Sequence, residues 1–264
     1  MKKTYETMIH NQLEEQDLMI PLHFFEETTS TNDVAKEMIQ SNAFHGTTIV
    51  ACKQNAGRGT YGRSFLSEVG GIYLSLMIHT REWQFKETQL TTIFVAVAVR
   101  WAVNDVLGIQ LDLKWVNDLF LRGKKVGGIL TEHVFGGDWM VIGIGLNISP
   151  LPRDFPDELK QIATTLGVDD PNHSIKAQLI GAIMNKILKP SQLSDKGQVL
   201  DHYKKGLFIL NRHVWITYQN EEFEVLVQGV DQLGRLVVQT SCGEMLHLQT
   251  GDVRLDKSVY YGAK

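Results

Sequence analysis

Apolar and polar residues alternate in several short segments in the first half of the chain, which predicts β-strands with one buried face. The clearest segment is residues 71–78, where four aliphatic side chains share a face: Ile72, Leu74, Leu76 and Ile78. Further strands are predicted at residues 47–52, 111–115, 126–131 and 139–146. A hairpin turn is predicted at Gly123, because glycine accepts the backbone conformations of tight turns. The short connections predict an antiparallel or mixed sheet.

Other segments have the spacing of helices. Ser30 and Asp33 resemble a capping box at a helix start, and apolar residues then recur at helical intervals as far as Ile39. Residues 93–106 are almost entirely apolar, which predicts a buried helix that ends near Gly108. A third helical region is predicted within residues 156–203. Together these segments predict an α+β fold, in which a mixed or antiparallel sheet packs with helices.

The pattern changes after residue 213, where short strand-like segments are separated by turn residues. Strands are predicted at residues 214–218, 223–230, 236–239, 245–248 and 253–255. A segment of about 50 residues is close to the lower limit for a domain that folds alone. We therefore predict a boundary near Leu210, which separates a large domain of residues 1–210 from a small C-terminal β-barrel of residues 211–264.

Composition narrows the class of protein. The 264 residues are 43% hydrophobic and 21% charged, and the formal net charge of -4 gives no reason to expect nucleic-acid binding. Residues 1–16 lack the apolar core of a signal peptide, and no uninterrupted apolar run approaches the ~20 residues that span a bilayer. Cys52 and Cys242 have no zinc-like spacing. We expect a cytoplasmic protein that binds neither nucleic acid nor membrane.

Residues 57–63, with the sequence Gly-Arg-Gly-Thr-Tyr-Gly-Arg, are the first candidate for chemistry. The glycine spacing matches a dinucleotide-binding loop, but residues 64–78 continue as loop and strand instead of opening a helix. No P-loop lysine follows, and the other protein-kinase motifs are missing. Glycines let backbone N–H groups approach an anion, and the guanidinium groups of Arg58 and Arg63 bind carboxylate or phosphate. A glycine-rich turn with solvated arginines is the alternative.

Residues 114–118, with the sequence Lys-Trp-Val-Asn-Asp, are the second candidate. We interpret them as the end of a strand in which Trp115 faces the core and Lys114 faces the other way. The strand then ends in an amide, Asn117, and a carboxylate, Asp118. Both residue types also begin ordinary turns, which is the alternative interpretation.

Glycines interrupt the strands that follow. Gly127 and Gly128 come directly after the Lys125-Val126 pair, and Gly143 and Gly145 occur one strand later. Glycine inside a strand often marks a close approach of ligand or backbone. The sequence therefore predicts a binding surface on the sheet, and the nearby cations predict a negatively charged, phosphate-bearing ligand.

Five motifs, taken together in this order and spacing, resemble biotin–protein ligases, although no single motif is specific. They are Ser30-Thr31-Asn32, residues 54–63, Lys114-Trp115-x-Asn117-Asp118, Lys125-x-x-Gly128-Ile129-Leu130 and Gly143-x-Gly145-x-Asn147. The resemblance implies a class II synthetase-like catalytic domain, residues 1–210, with the small barrel behind it. It also implies that biotin and ATP form biotinyl-5′-adenylate, and that biotin is then transferred to a lysine of a biotin carboxyl carrier protein.

The resemblance implies roles for individual residues as well. The expected catalytic residues are Lys125 at the biotin carboxylate and phosphate, Arg58 ordering the loop, and Asp118 orienting or deprotonating the acceptor lysine. The biotin site would consist of Ser30, Thr31, Asn32, Gln54, Arg58, Gly59, Thr60 and Lys125. The ATP or adenylate site would consist of Gly57, Arg58, Arg63, Asn117, Lys125 and Asn147. ATP and Mg²⁺ are the expected cofactors, biotin is the substrate, and no metal ligands are assigned.

Two residues depart from the family pattern. Val116 stands where proline is usual, and Thr60 stands where a basic residue is frequent. We expect Thr60 to weaken loop closure, so that adenylate is released faster; equal release from a Thr60→Arg variant would reject this hypothesis. Only about 23 residues precede the resembling region, so we expect no helix-turn-helix domain and no repressor activity.

Two alternative functions stay open. A lipoate–protein ligase or octanoyltransferase shares the catalytic fold but binds an aliphatic chain. A non-catalytic biotin or adenylate sensor would keep the pocket without turnover. Family members can also pair through sheet edges, so a homodimer is a further expectation that the sequence does not decide.

Overall fold

The structure is a computed structural model that describes residues 2–14, 20–41, 43–85, 87–134, 136, 138–150, 155–189, 193, 195–219, 221–249 and 252–254. Its helices are α1 (Lys2–His10), α2 (Thr31–Ile39), α3 (Thr88–Leu107), α4 (Asp157–Lys160), α5 (Ser174–Leu188) and α6 (Lys196–Gly206). Its strands are β1 (Leu22–Phe25), β2 (Thr48–Ala51), β3 (Ile72–His79), β4 (Asp112–Lys114), β5 (Asp118–Leu121), β6 (Lys124–Val134), β7 (Trp139–Leu146), β8 (His213–Tyr218), β9 (Glu221–Val230), β10 (Leu236–Thr240), β11 (Met245–Leu248) and β12 (Asp252–Arg254).

The first seven strands form one sheet in the order β1-β2-β3-β7-β6-β5-β4. β1 pairs with β2 in parallel, and the other neighbouring strands are antiparallel. The predicted mixed sheet is therefore confirmed. The hairpin between β5 and β6 turns at Arg122 and Gly123, which both have positive φ values of 51° and 78°. Such a turn matches the twist of the flanking strands.

The two faces of the sheet have different partners. The four alternating aliphatic residues of β3 all join the large core that also contains α3, as the sequence pattern predicts. On the opposite face, Met77 of β3 packs with Ala35 and Ile39 of α2 in a smaller apolar cluster. The same alternation along β7 sends Ile142, Ile144 and Leu146 into the large core. The intervening glycines of β7 consequently lie on the face of α2.

Helix α3 is the buried helix that the sequence predicts, and it begins five residues earlier than expected, at Thr88. It ends at Gly108, which caps it in the left-handed conformation with φ 67°. By length and composition alone, α3 could cross a membrane. Most of it is instead buried, and it packs against α5, α6 and β6. These contacts are those of the core helix of a globular domain.

The C-terminal end of the strand predicted at residues 111–115 is wrong. β4 stops at Lys114, residues 115–117 form a turn, and Asp118 begins β5 directly opposite Lys114 in the ladder. The Trp115–Val116 peptide bond in this turn is cis. The strand ends at Lys114 because the chain reverses there and returns as β5, which pairs with β4 in an antiparallel ladder. This reversal brings a lysine and an aspartate of the same motif side by side.

The C-terminal strands form a second, entirely antiparallel sheet in the order β11-β10-β9-β8-β12. All of the strands predicted after residue 213 are present, with ends shifted by at most two residues in the described part. Residue 255, the predicted end of the last strand, lies outside the described residues. α6 ends at Gly206 and β8 begins at His213, so residue 210 falls in the connection between the last helix and this sheet.

Candidate active site

A cavity of about 210 Å³ opens on the face of the large sheet that carries α2, beneath the loop of residues 58–65. The structure brings together here most of the residues that the sequence predicts to bind ligands. Those that line the cavity are Ser30, Thr31, Asn32, Gln54, Arg58, Gly59, Thr60, Arg63, Asn117, Asp118 and Lys125. They come from segments that are far apart in sequence and meet only in the fold.

Two predicted ligand-binding residues are not part of the cavity lining. Asn147 follows β7, and its side-chain amide donates to the Thr164 carbonyl over 3.1 Å. Its backbone accepts a hydrogen bond from Leu166, so Asn147 ties down the segment after α4. Gly57 accepts the backbone N–H of Phe65 and leaves no room for a side chain beside the Phe65 carbonyl. In this structure both residues shape the walls of the site.

One wall of the cavity is built from hydroxyl and amide groups that bind one another. The Gln54 side-chain oxygen accepts the backbone N–H of Thr31 at 2.8 Å and its hydroxyl at 3.1 Å. The other end of the same amide donates to Ser67 at 2.8 Å. Because each end of the amide has a different partner, the orientation of Gln54 is determined by the protein.

The network continues through Ser75 of β3 to the carboxylate of Glu132 on β6. The Ser75 hydroxyl lies 2.8 Å from the Thr31 hydroxyl and 2.6 Å from the Asn32 side-chain oxygen. The Asn32 amide nitrogen donates to Glu132 at 2.7 Å, and Lys36 donates to the other oxygen at 2.6 Å. Burial alone would raise the pKa of Glu132, but the hydrogen bonds from Lys36 and Asn32 lower it. Both ends of the Asn32 amide are thus held.

The start of α2 differs from the predicted capping box. Ser30 does occupy the N-cap position, but its side chain makes no capping hydrogen bond. Ser30 is buried at the cavity, with 3% exposure. Asp33 instead forms an ion pair with the guanidinium group of Arg58, which connects the glycine-rich loop to the helix. Ser30 and Asp33 therefore help to form the cavity and its loop, and their side chains do not form a capping box at the helix start.

Asp118 lies between two ammonium groups. The Lys125 Nζ atom is 2.5 Å from Asp118 Oδ1, and the Lys114 Nζ atom is 3.2 Å from Oδ2. Burial alone would raise the pKa of Asp118, but the charges of Lys114 and Lys125 outweigh it and lower that pKa. The carboxylate is consequently ionised at neutral pH. The Lys125 Nζ atom also lies 5.9 Å from the centroid of the Phe65 ring.

The turn that precedes Asp118 is held from three sides. The side-chain amide of Asn117 donates to the Ile129 carbonyl of β6 at 3.0 Å. The hydroxyl of Tyr203, a fully buried residue of α6, donates to the Val116 carbonyl at 3.1 Å. The indole N–H of Trp115 donates to the Gly234 carbonyl of the C-terminal sheet at 2.9 Å. Such cross-links preorganise the residues that follow the turn.

Gly128 of β6 and Gly143 and Gly145 of β7 line the cavity, as the sequence predicts for a binding surface, whereas Gly127 is not part of that lining. Gly128 of β6 pairs with Gly145 of β7, and Leu130 pairs with Gly143. A side chain at Gly143 would overlap the Asn32 amide, and one at Gly145 would lie 2.7 Å from the Phe65 ring. These two glycines therefore make room for side chains of the protein itself, namely Asn32 and Phe65, and the ligand is not what requires a glycine at these positions.

Comparisons with known proteins match two segments of the chain to protein families. Residues 24–149 match the biotin/lipoate A/B protein ligase family, and residues 209–256 match the biotin protein ligase C terminal domain. The chain therefore contains a biotin/lipoate A/B protein ligase domain followed by a biotin protein ligase C terminal domain. The first match spans the strands of the large sheet from β1 to β7, and the second spans the C-terminal sheet.

The relatives differ in how much of their own length aligns with this chain. The bifunctional ligase/repressor BirA of Bacillus subtilis is 42% identical over 149 residues, which are 55% of this chain and 46% of that protein. The chain therefore spans about half the length of this curated relative. The biotin–[acetyl-CoA-carboxylase] ligase of Mycobacterium tuberculosis is 24% identical over 84% of this chain and 87% of that protein. A solved structure of the Aquifex aeolicus biotin protein ligase, in complex with biotin and ATP, superposes with a TM-score of 0.75 at 26% identity, covering 89% of this chain and 99% of that chain.

Several residues that line the cavity were not predicted from the sequence to bind ligand. Lys114 and Phe65 line the cavity, and so do Gln89 of α3 and two residues of the C-terminal part, Gln249 and Val253. The sequence did contain a signal for Lys114. It belongs to the same motif as Asp118, and the alternation of residues 111–115 predicts that its side chain points away from the core. Phe65 comes two residues after the glycine-rich motif and reaches the cavity with that loop. Gln89, Gln249 and Val253 have no local signal, since only the packing of α3 and the C-terminal part brings them to the cavity.

The donor set of this cavity does not fit a resident metal ion. Among the described residues, no group of three or more His, Cys, Asp or Glu side chains is placed to hold a metal. Asp118, the carboxylate at the cavity, already has two ammonium partners. Mg²⁺ usually binds one or two carboxylates together with substrate phosphates. Any Mg²⁺ here would therefore arrive with the nucleotide, as part of the substrate.

Proposed function

We propose that this protein is an ATP-dependent biotin–protein ligase, which forms biotinyl-5′-adenylate and transfers biotin to a lysine of a biotin carboxyl carrier protein. The observation that carries the proposal is the convergence of Lys125, Arg58 and Asp118 on one cavity with a wall of neutral hydrogen-bonding groups. A family member in complex with biotin and ATP, and one in complex with biotinyl-5-AMP, share this fold.

The neutral wall suits the ureido ring of biotin, which carries no charge but has both donors and acceptors. Thr31, Asn32 and Gln54 provide hydroxyl and amide groups whose orientations are set by Ser75, Ser67 and Glu132. A buried polar wall strongly rejects a ligand that leaves its groups unpaired. This argues for biotin over lipoate or octanoate, whose chains cannot pair with amides.

In the first proposed step, a carboxylate oxygen of biotin attacks the α-phosphorus of ATP, and pyrophosphate leaves. The two anions repel each other, so cations must gather where they meet. Lys125 and the guanidinium groups of Arg58 and Arg63 all line the cavity and supply that charge. Ser30, Gly59 and Thr60 complete the lining around the biotin end, and Asn117 lines the nucleotide end. Gly57 and Asn147 would act indirectly, through the walls they shape.

In the second proposed step, the acceptor lysine nitrogen attacks the acyl carbon, AMP leaves, and an amide forms. A free lysine has a pKa of ~10.4 and must lose its proton before it attacks. The lowered pKa of Asp118 makes it a weak base. Between the two roles expected for this residue, the lowered pKa supports orientation of the incoming ammonium group, with the proton released to solvent.

We also propose the remaining properties of the protein on the same basis. The boundary between a catalytic domain, residues 1–210, and the C-terminal domain, residues 211–264, agrees with the connection between α6 and β8. A cytoplasmic location agrees with the cysteine usage, and a homodimer would use the edge of the large sheet. Absence of DNA binding agrees with the net charge of -4 and is tested by mobility shift on promoter DNA.

The first experiment is ATP–pyrophosphate exchange, run in parallel with biotin, lipoate and octanoate. We expect exchange with biotin and none above background with the other two acids, because their aliphatic chains make no hydrogen bonds with the hydroxyl and amide groups of the wall. Exchange with lipoate instead would overturn the choice of substrate. Biotin binding without any exchange would overturn the enzyme assignment in favour of a sensor.

A further inference from the structure

Lys114 and Lys125 hold Asp118 in different ways. Lys125 stands on β6, and its side chain is 37% exposed. Lys114 stands on β4 directly opposite Asp118 in the ladder, and its side chain is only 11% exposed. Its Nζ atom lies over the Phe120 ring, 5.8 Å from the centroid. Lys125 can therefore reorient toward the cavity, whereas Lys114 is enclosed beside the carboxylate.

An anionic ligand would compete with Asp118 for Lys125. A ligand carboxylate or phosphate in the cavity brings a second negative charge toward the same ammonium group, and two anions share one cation poorly. When Lys125 turns to the ligand, Asp118 loses its closer partner. A buried carboxylate without a partner is strongly destabilised. Some other group must then hold it.

We propose that Lys114 is a positioning residue for the transfer step, which holds the Asp118 carboxylate in place after Lys125 has turned to the acyl-adenylate. The inference rests on the proposed function and deepens it. In this role Lys114 acts through Asp118 and not through its own contact with the reacting atoms. With Lys114 in place, a negative charge remains at the cavity wall for the incoming ammonium group of the acceptor.

The charged and titratable groups that face Asp118 are Lys114 on β4, Lys125 on β6 and Tyr203 on α6. Burial, and secondarily the Asp118 charge, raise the pKa of Tyr203 well above its ordinary value, so that it stays neutral. Removing the Lys114 charge therefore leaves Asp118 with less compensation and raises the pKa of its carboxyl. As the pH falls, Asp118 would then become protonated at a higher pH in the variant than in the wild type.

The test compares Lys114→Met with Lys114→Arg in two assays of the full chain. One assay is biotin-dependent ATP–pyrophosphate exchange. The other is single-turnover transfer from biotinyl-5′-adenylate to a purified biotin carboxyl carrier domain. We expect Lys114→Met to lose at least tenfold more in transfer than in exchange, with the acid limb of the transfer profile shifted to higher pH. Lys114→Arg should recover most of the transfer rate and the wild-type acid limb.

A second variant separates positioning from folding. In an Asp118→Asn background, Lys114→Met should cause no further loss of transfer, because the group it positions is already gone. Equal losses in both assays, an unshifted acid limb, or additive losses in the double variant would each overturn the inference. Failure of the wild-type protein to exchange pyrophosphate with biotin would instead overturn the proposed function, so the two failures are distinguishable.

Discussion

At the scale of single residues, the cavity depends on amides whose direction is imposed by their neighbours. Asn32 is the clearest case, because its oxygen is held by Ser75 and its nitrogen by Glu132. The space for this side chain exists only because position 143 is a glycine. A glycine inside a strand can thus make room for a side chain of the protein, which in turn lines the ligand cavity.

Replacing Gly143 with alanine should weaken biotin binding by tenfold or more. The new methyl group would overlap the amide of Asn32 and force it out of its hydrogen bonds. Isothermal titration calorimetry with biotin measures the change. Gly128→Ala, on the neighbouring strand, is the matched control, because its methyl group would meet Lys125 at an ordinary 3.5 Å. An effect of Gly143→Ala no larger than that of Gly128→Ala would contradict this explanation.

At the scale of elements, a turn between two strands can be stabilised by hydrogen bonds to a single carboxylate. The turn between β9 and β10 is organised by Asp231, whose carboxylate accepts the backbone N–H groups of Leu233 at 2.9 Å and Arg235 at 3.0 Å. The Arg235 guanidinium group and the His247 ring bind its second oxygen. Burial alone would raise the pKa of Asp231, but these hydrogen bonds lower it to about 2.

Asp231→Asn should destabilise the protein at neutral pH by on the order of 2 kcal/mol, because a lowered carboxyl pKa means that folding favours the charged form. This contribution is fully present above the unfolded pKa of ~3.9 and is lost as pH falls toward the folded pKa. Urea unfolding of both proteins between pH 7 and pH 2.5 measures it. The difference between them should be constant down to about pH 4 and shrink below it.

Asp201→Asn, an exposed position on α6, is the control for loss of a negative charge. It should change the free energy of unfolding by no more than about 0.5 kcal/mol. If both substitutions have the same effect, the hydrogen bonds around Asp231 are not its source.

At the scale of the whole molecule, the C-terminal sheet takes part in the site of the large domain. Gln249 and Val253 line the cavity, and the Gly234 carbonyl accepts the indole N–H of Trp115 in the Lys-Trp-Val-Asn-Asp motif. Gln89 of α3 donates to the Gln249 backbone. The two domains therefore share hydrogen bonds at the place where the ligand is expected.

Trp115→Phe should lower the free energy of unfolding by about 1–3 kcal/mol, because the buried Gly234 carbonyl loses its donor while the aromatic packing is largely kept. Urea unfolding followed by circular dichroism gives the value. Trp215→Phe, at a residue that is 46% exposed on β8, is the matched control and should have little effect. Similar losses for both variants would mean that the indole hydrogen bond does not link the domains measurably.

Local sequence patterns were enough to predict the alternation of β3, the buried helix α3, its glycine end and the hairpin at Gly123, because these features follow from local backbone geometry and side-chain period. The sequence also indicated which residue types gather at the site, since the motifs carry them. The five C-terminal strands were predictable for the same reason.

The contacts that those residues make depend on packing between elements that are distant in sequence. The reversal at residues 115–117 placed Lys114 beside Asp118, and packing carried Glu132 to Asn32, 100 residues away in sequence. Gln249 and Val253 reached the cavity in the same way. Periodicity reports which face of an element is buried, but the partner on that face depends on the free energy of the whole packed chain, which no local pattern contains.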